Sequence, residues 1–351
     1  MADRTAQRTA KGAARPPAAA SGLTPGLPLD TAPGWEDARE RIPPGRKSCS
    51  LTLAGKAVRL TNLDKPYFPE RGYTKGDLLR YYLAVAEPLL VHLSDRAMVM
   101  KRYPNGIHGK FFFMKRTPGH RPDWLETCAI EHASGSVIDF PVVRDLPSLL
   151  WIVNLGCIDL NPWYARCDDV DRPDYLHFDL DPVEGEPPVP FARVREAGLV
   201  VRAALEALGM KPLVKTTGSR GLHVYVGIER GPTQKQVWTF AKAFAQALAG
   251  ERPELLTAEY RVAWRPPGRV LVDYNQNAWG RTLASVYSVR PKPAATVSAP
   301  VTWDEIEAGV DTADFRLDNL PARLAQVGDL WRPLSRPRGR FRLERVLGEG
   351  A

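Results

Sequence analysis

Cysteine is scarce in this sequence. Four residues, Cys49, Cys128, Cys157 and Cys167, are scattered over 351, and none stands in a Cys-x-x-Cys pair. That spacing argues against a zinc site and a disulfide framework, and leaves reduced thiols in a cytoplasmic protein as the default. Long apolar runs are also missing. No stretch reaches the roughly 18 residues of a membrane span, and no leader with a charged start and apolar centre is visible, so a membrane is not an expected partner. The P-loop pattern, with its Lys-Ser/Thr pair, is absent too. Acidic charge is in the minority: 40 Asp and Glu stand against 48 Lys and Arg, a net charge of +8. An isoelectric point near 9.3 suits a polyanionic partner such as nucleic acid.

The length allows one large domain or two small ones. Residues 1–46 are rich in Ala, Pro, Thr and Arg without apolar periodicity, and read as a disordered basic arm. Ordered structure is expected over 47–334. Residues 335–351, with Arg336, Arg338, Arg340, Arg342 and Arg345, read as a mobile basic tail.

One stretch organises the rest: Tyr175-Leu176-His177-Phe178-Asp179-Leu180-Asp181-Pro182. On a strand, Leu176, Phe178 and Leu180 share an apolar face, while His177, Asp179 and Asp181 share the other. Pro182 ends the strand and leaves the two carboxylates at its rim. Such a pair is either a solvated strand end or a seat for Mg²⁺ or Mn²⁺, which take hard oxygen ligands. The nearby run Asp168, Asp169, Asp171 and Asp174 sits in a Pro-containing loop and is expected to be solvated.

Other stretches supply cations and hydroxyls. Thr74, with Asp77 three residues on, predicts a capped helix start and puts Lys75 in the first turn. A cation there opposes the helix dipole at a cost of ~0.3–1 kcal/mol. A bound phosphate would relieve it, so Asn62, Lys65 and Lys75 form a candidate phosphate pocket beside the alternative of an exposed lysine. Phe111-Phe112-Phe113 lies among Lys101, Arg102, Lys110 and Lys115. It reads either as a strand buried on both faces or as an outward aromatic platform for base stacking. Thr217-Gly218-Ser219-Arg220-Gly221-Leu222-His223 is a glycine turn between apolar strands. Its amides, hydroxyls and cations suit a triphosphate, the alternative being a decorated hairpin turn. A strand over 270–273 ends in a third carboxylate, Asp273. A further short strand is expected over 287–290, with Arg290 placed to reach an anion.

These motifs together resemble the polymerase domain of bacterial DNA ligase D, a member of the archaeo-eukaryotic primase superfamily. The resemblance is carried in order by Asn62-x-x-Lys65 with Lys75, by Leu176-x-Phe178-Asp179-Leu180-Asp181-Pro182, by Thr217-Gly218-Ser219-Arg220-Gly221-Leu222-His223, and by Val272-Asp273-Tyr274-Asn275-Gln276-Asn277. It implies an α/β (α+β) catalytic core with an RRM-like mixed or antiparallel sheet flanked by helices. It implies that Asp179, Asp181 and Asp273 are the catalytic, metal-binding triad for two Mn²⁺ or Mg²⁺ ions. Lys101, Thr217, Ser219, Arg220, His223, Gln276 and Arg290 correspond to nucleotide ligands. Asn62, Lys65 and Lys75 correspond to a pocket for a DNA 5′-phosphate, and Phe112 and Phe113 to residues that stack on template bases. The implied activity is addition of NTPs or dNTPs at gaps and double-strand-break ends, a DNA repair polymerase of non-homologous end joining. The implied partners are DNA, Ku and a separate ligase, in a bacterial or archaeal cytoplasm.

The chain departs from the pattern in places. Asn161 stands where the family commonly has His, Arg220 where Lys is frequent, and Trp279 where the residue is often small or basic. Lys-x-Asp-Gly, the ligase motif, does not occur, so a stand-alone polymerase or an excised polymerase part is expected. A degenerate, non-catalytic DNA-end binder and a metal-dependent nuclease are the competing readings. The intact triad weighs against the first, and a triphosphate cradle, which hydrolysis of DNA does not need, against the second.

Overall fold

Strand Tyr175–Pro182 occupies the interior of a six-stranded sheet because it has two useful faces, one for a core and one for a site. In order across the sheet run Leu256–Thr257, Val270–Asp273, Tyr175–Pro182, Leu222–Gly227, Leu213–Thr216 and Pro300–Val301. All neighbours are antiparallel except the first pair, so the sheet is mixed. The computed structural model describes residues 35–347.

Leu176, Phe178 and Leu180 are wholly buried. Helices Phe191–Ala207 and Gln234–Glu251 cover that face with Val194, Ala197, Val201, Val237, Ala241 and Ala245. Phe178 meets Phe244 with ring centroids 4.9 Å apart. Burial of a side chain of this size contributes about 1.5–3 kcal/mol. Gly198 allows the first helix to sit close, since a Cβ there would stand 3.0 Å from Leu222 Cδ1.

A three-stranded antiparallel sheet, ordered Phe112–Met114, Met98–Arg102 and Cys157–Pro162, brings Lys101 opposite Asp159. Helices Lys75–Ala84, Ala86–Leu93 and Leu146–Asn154 carry its apolar backing. The expected hairpin forms from Ser48–Leu53 and Lys56–Thr61. Thr74 and Asp77 make both hydrogen bonds of the capping box. The α/β expectation, a mixed sheet flanked by helices, holds.

Four expectations fail, each for a reason of burial or pairing. Helix Trp35–Arg41 lies within the supposed disordered arm, where Ala38 and Ile42, four residues apart, share one buried face. Residues 1–34 of that arm lie outside the described residues. The basic tail is not loose over its described part: Phe341 bridges Ile228, and Leu343 is wholly buried. The acidic loop is solvated at Asp168, which pairs with Arg230, but not at Asp174. Asp174 has no exposed surface and is held by Arg96 at 2.6 Å, Arg166 at 2.8 Å and Arg340 at 3.3 Å. Finally, 287–290 is not a strand, because Tyr287 adopts φ +62° and only Val289 bridges Val297.

Asp174 ties the acidic strand's entry, strand Met98–Arg102's entry and the C-terminal segment together through three cations. Although burial pushes its carboxyl up, Arg96 and Arg166 hold it well below the usual range. Asp174→Asn leaves those buried guanidinium groups short of a countercharge, and is expected to cost about 3–5 kcal/mol. Urea unfolding followed by tryptophan fluorescence reads that loss; a change below about 1 kcal/mol would show the cluster to be no more than a surface-like pair.

Candidate active site

Three adjacent strands set the site, Val270–Asp273, Tyr175–Pro182 and Leu222–Gly227. Asp179 lies opposite Asp273 in one ladder and opposite His223 in the other. Asp181 follows two residues on, on the same face. Asp179 is buried, and its Oδ1 has no aligned hydrogen-bond donor. Burial, and then the Asp273 charge, push the Asp179 carboxyl up to about 7. The Asp179 charge, then burial, push Asp181 up to about 7 as well. Asp273 is the tethered member: its Oδ1 accepts from Asn275 N at 2.8 Å and its Oδ2 from Gln276 Nε2 at 2.9 Å. Asn277 clamps the acidic strand by its backbone, accepting from His177 N and donating to His177 O.

An unpartnered buried carboxylate oxygen beside two like charges is the donor set a hard divalent cation satisfies. The donor chemistry of the triad fits such an ion, while among the described residues no group of three or more His, Cys, Asp or Glu is placed to hold one.

Above the carboxylates, the glycine turn joins strands Leu213–Thr216 and Leu222–Gly227. Gly221 is compulsory: a Cβ would stand 2.3 Å from Leu180 O and 2.8 Å from Asp181 Oδ1. Gly218 has φ +66° and packs on Arg290 Cγ. The amides of Ser219 and Gly221 are not free for an anion, because both donate to Thr217 Oγ1 at 3.1 Å. Charge in this region comes from side chains instead. Arg290 donates to Thr217 O at 2.7 Å and lies 3.5 Å from Asp159 Oδ2. Lys101 lies 4.0 Å from the same oxygen. Burial depresses the Lys101 ammonium although Asp159 pulls it up. Arg220 is the outlier: exposed, it pairs with Glu184 at 3.2 Å at the mouth.

At the expected phosphate pocket of Asn62, Lys65 and Lys75, the amides of the first helical turn already have acceptors. Lys75 N donates to Lys65 O, Gly76 N to Leu63 O and Asp77 N to Thr74 Oγ1, so the first-turn amides are spent. Lys65 Nζ donates to Pro104 O and Asn105 Oδ1, and Lys75 Nζ to Thr61 O at 2.7 Å. Burial, then the charges of Lys65 and Arg102, lower Lys75 to about 8. Asn62, with φ +54°, makes the turn that brings Lys65 back toward this helix.

All three phenylalanines are exposed, which overturns the strand buried on both faces. Lys101 Nζ sits 4.7 Å from the Phe111 centroid and 5.5 Å from that of Phe113, and Arg102 lies 5.2 Å from Phe112. Phe111, stacked on Tyr103 at 5.3 Å, belongs to this platform, although the resemblance points to Phe112 and Phe113 alone. Asp159 was missed too, as was Lys215; each sits in an apolar strand pattern where a lone charge is the available signal. Asn161 folds its amide back onto Asp159 O at 3.0 Å.

Carboxylates thus lie at the rim of a mixed sheet, beneath a hydroxyl-lined glycine turn and near the half-buried cations Lys101 and Arg290. A sequence model described as the LigD primase-polymerase domain matches residues 74–331. The chain belongs to that family. It is 35% identical over 279 residues to the multifunctional non-homologous end joining protein LigD of Mycolicibacterium smegmatis, covering 79% of this chain and 36% of that protein. The bifunctional LigD of Bacillus subtilis is 28% identical over 275 residues, 77% of this chain and 43% of that protein. The chain thus spans little more than a third of the length of the first of these relatives. Among solved structures, the polymerase domain of Mycobacterium tuberculosis ligase D in complex with DNA matches with a TM-score of 0.74 and 32% identity, over 79% of this chain and 98% of that one. No helix among the described residues is long and apolar enough to cross a membrane.

The raised carboxyls give a signed pH dependence. The native state holds protons on Asp179 and Asp181 that the unfolded chain has released by about pH 5. Their contribution is full below the unfolded value near 4 and is lost as pH rises through about 7. In EDTA, the melting temperature is expected to fall between about pH 5 and pH 8, and Asp179→Asn to raise it by about 2–4 °C at the higher pH. A lower melting temperature for the variant at that pH would remove the repulsion from the account.

Proposed function

We propose that this chain is a template-directed nucleotidyltransferase that adds NTPs or dNTPs at DNA gaps and double-strand-break ends, with recognition of a 5′-phosphate. One observation carries the reading: Asp179 faces Asp273 across a ladder, with Asp181 beside them, under the glycine turn. Asp179, Asp181 and Asp273 would hold two Mn²⁺ or Mg²⁺ ions, which supply activation of an attacking 3′-hydroxyl and neutralisation of charge on the transferred phosphoryl group. His223 lies 3.2 Å from Asp179 Oδ1, and Arg290 and Lys101 share Asp159 Oδ2; with Thr217 and Ser219 in the turn, they would bind the triphosphate. Arg220, at the mouth, exchanges Glu184 for a phosphate oxygen. Gln276 keeps Asp273 oriented. Burial of Asp179 and partial burial of Lys101 and Arg290 reduce screening of these contacts by water.

Phe112 and Phe113, joined by Phe111, offer ring faces for template bases. Lys65 and Lys75 hold the 5′-phosphate, with Asn62 shaping the approach; a phosphate dianion would relieve the mutual repulsion that depresses Lys75. The relatives, named as non-homologous end joining proteins, support the same setting, with Ku and a separate ligase as partners in a bacterial or archaeal cytoplasm.

A non-catalytic DNA-end binder is the second reading. It is favoured by Asn161, whose amide is turned onto its own strand rather than toward the carboxylates.

Primer extension on a short gap bearing a 5′-phosphate separates the two, comparing NTP with dNTP and Mn²⁺ with Mg²⁺. Asp179→Ala with Asp181→Ala is expected to cut incorporation by roughly 10³-fold while gap binding persists. Wild-type binding without any incorporation would favour the end binder. Lys65→Ala with Lys75→Ala is expected to weaken binding to the 5′-phosphorylated gap by at least about ten-fold and to spare the 5′-hydroxyl gap. Equal losses on both substrates would remove the pocket assignment.

A further inference from the structure

Trp279 keeps 44% of its surface exposed, on a segment that connects the two sheets of the site. It follows the turn Asn275–Asn277, whose Gln276 orients Asp273. Backbone hydrogen bonds fix the chain on either side: Ala278 N donates to Asn275 O at 2.9 Å, and Arg281 N to Ala278 O at 3.1 Å. Thr282 then bridges Trp163, and Ser285 N donates to Leu160 O at 2.8 Å. The segment thus crosses from the strand that ends at Asp273 to the strand that carries Asp159 and Asn161.

The Trp279 ring meets that of the buried Trp163 with centroids 5.4 Å apart and planes at 86°. Perpendicular rings meet edge to face, so at least one face of the Trp279 indole is not covered by Trp163. Trp163 continues the alternation Asp159, Asn161, Trp163, whose partners on the neighbouring strand are Lys101, Val99 and Ala97. Trp279 therefore stands over the same face as Asp159, which pairs with Arg290 and Lys101. Arg281, two residues on, is exposed. An uncovered indole face beside a guanidinium suits one stacked base and its phosphate.

Sheet order decides which base is held. The glycine turn joins Leu213–Thr216 to Leu222–Gly227 on one side of the acidic strand, and Asp273 lies on the other. In-line transfer places the attacking 3′-oxygen and the leaving pyrophosphate on opposite sides of the phosphorus. With the triphosphate under the glycine turn, the primer's 3′ end arrives from the Asp273 side, where the Trp279 segment begins. The phenylalanine platform lies beside Arg102, at the far end of the strand that passes Ala97. At about 3.3 Å per residue the two platforms stand roughly 15 Å apart along that strand, too far to hold the same base.

We propose that Trp279 is the platform for the base at the primer's 3′ terminus, and that Arg281 pairs with a phosphate of the same strand. The placement on the primer rests on the nucleotidyltransferase reading; the stacking rests on the exposed, anchored indole. A fixed ring beside Asp273 holds the terminal nucleotide, and with it the 3′-hydroxyl, in place for attack. Stacking tolerates any base, as extension of arbitrary ends requires.

The test is binding of the whole chain, read by fluorescence anisotropy in EDTA so that no chemistry occurs. The substrate is a 5′-phosphorylated gap whose primer ends either in an ordinary nucleotide or in an abasic residue that keeps its 3′-hydroxyl. Trp279→Ala is expected to weaken binding to the ordinary primer about ten-fold and to change binding to the abasic one by less than about two-fold. Trp279→Phe keeps a ring face and is expected to retain most of the affinity. Arg281→Ala is expected to weaken both substrates alike and to lower the slope of log Kd against log salt by about one. Equal losses on both primers in Trp279→Ala overturn the platform, and so does no loss on either. A wild type that binds the two primers equally overturns it without any variant. An unchanged salt slope in Arg281→Ala overturns the phosphate clause. Failure of wild type to extend the primer, with the difference between the two primers intact, counts against the nucleotidyltransferase reading alone.

Discussion

Repulsion between carboxylates is the constraint on which the rest of the structure depends. An antiparallel ladder places Asp179 opposite Asp273, and the alternation of the strand adds Asp181 on the same face. Nothing about strand pairing favours that arrangement; opposite like charges destabilise a sheet. It persists because Leu176, Phe178 and Leu180 bury the opposite face under two long helices, and because Asn277 and the Asn275–Asn277 turn hold the strand ends. The apolar core thus sets the register, and the register sets the charge cluster.

The same chemistry recurs around the cluster with the opposite outcome. Asp174 is as buried as Asp179, yet it is surrounded by three guanidinium groups and stays ionised. Asp159 stands between Lys101 and Arg290 and keeps two cations apart at fixed positions. These carboxylates are neutralised by the protein, whereas Asp179 and Asp181 have no comparable partner. Their pKa values are raised for that reason. That contrast is why Asp179 and Asp181 are the carboxylates at which a cation from outside is proposed.

The two places proposed to bind phosphate, the glycine turn and the helix start near Lys75, are built from other parts than the sequence led one to expect. The glycine turn does not hold an anion with its amides, because Thr217 takes two of them. The helix start near Lys75 does not either, because carbonyls take its amides. In both places the positive charge is carried by side chains that are themselves hydrogen-bonded and partly desolvated. Rigid cations of this kind lose little freedom on binding a phosphate, which favours selective over merely electrostatic attachment.

Much of this was legible in the sequence. The two faces of the acidic strand, the capped helix at Thr74, the hairpin and the glycine turn follow from local periodicity and turn chemistry, which act over a few residues. Those local rules also singled out Asp179, Asp181, Asp273, Lys65 and Lys75. Tertiary structure alone decided which charges were buried and with whom. Asp174 looked like one of four solvated acids, Lys215 like an ordinary strand residue and the arginine-rich end like a loose tail. Each depends on partners far away in the chain, such as Arg340 for Asp174, 166 positions on, and Ser298 for Lys215, 83 positions on. Local sequence encodes the alternation of side chains, but the dielectric around a charge depends on every element packed against it, and that is known only once the chain has folded.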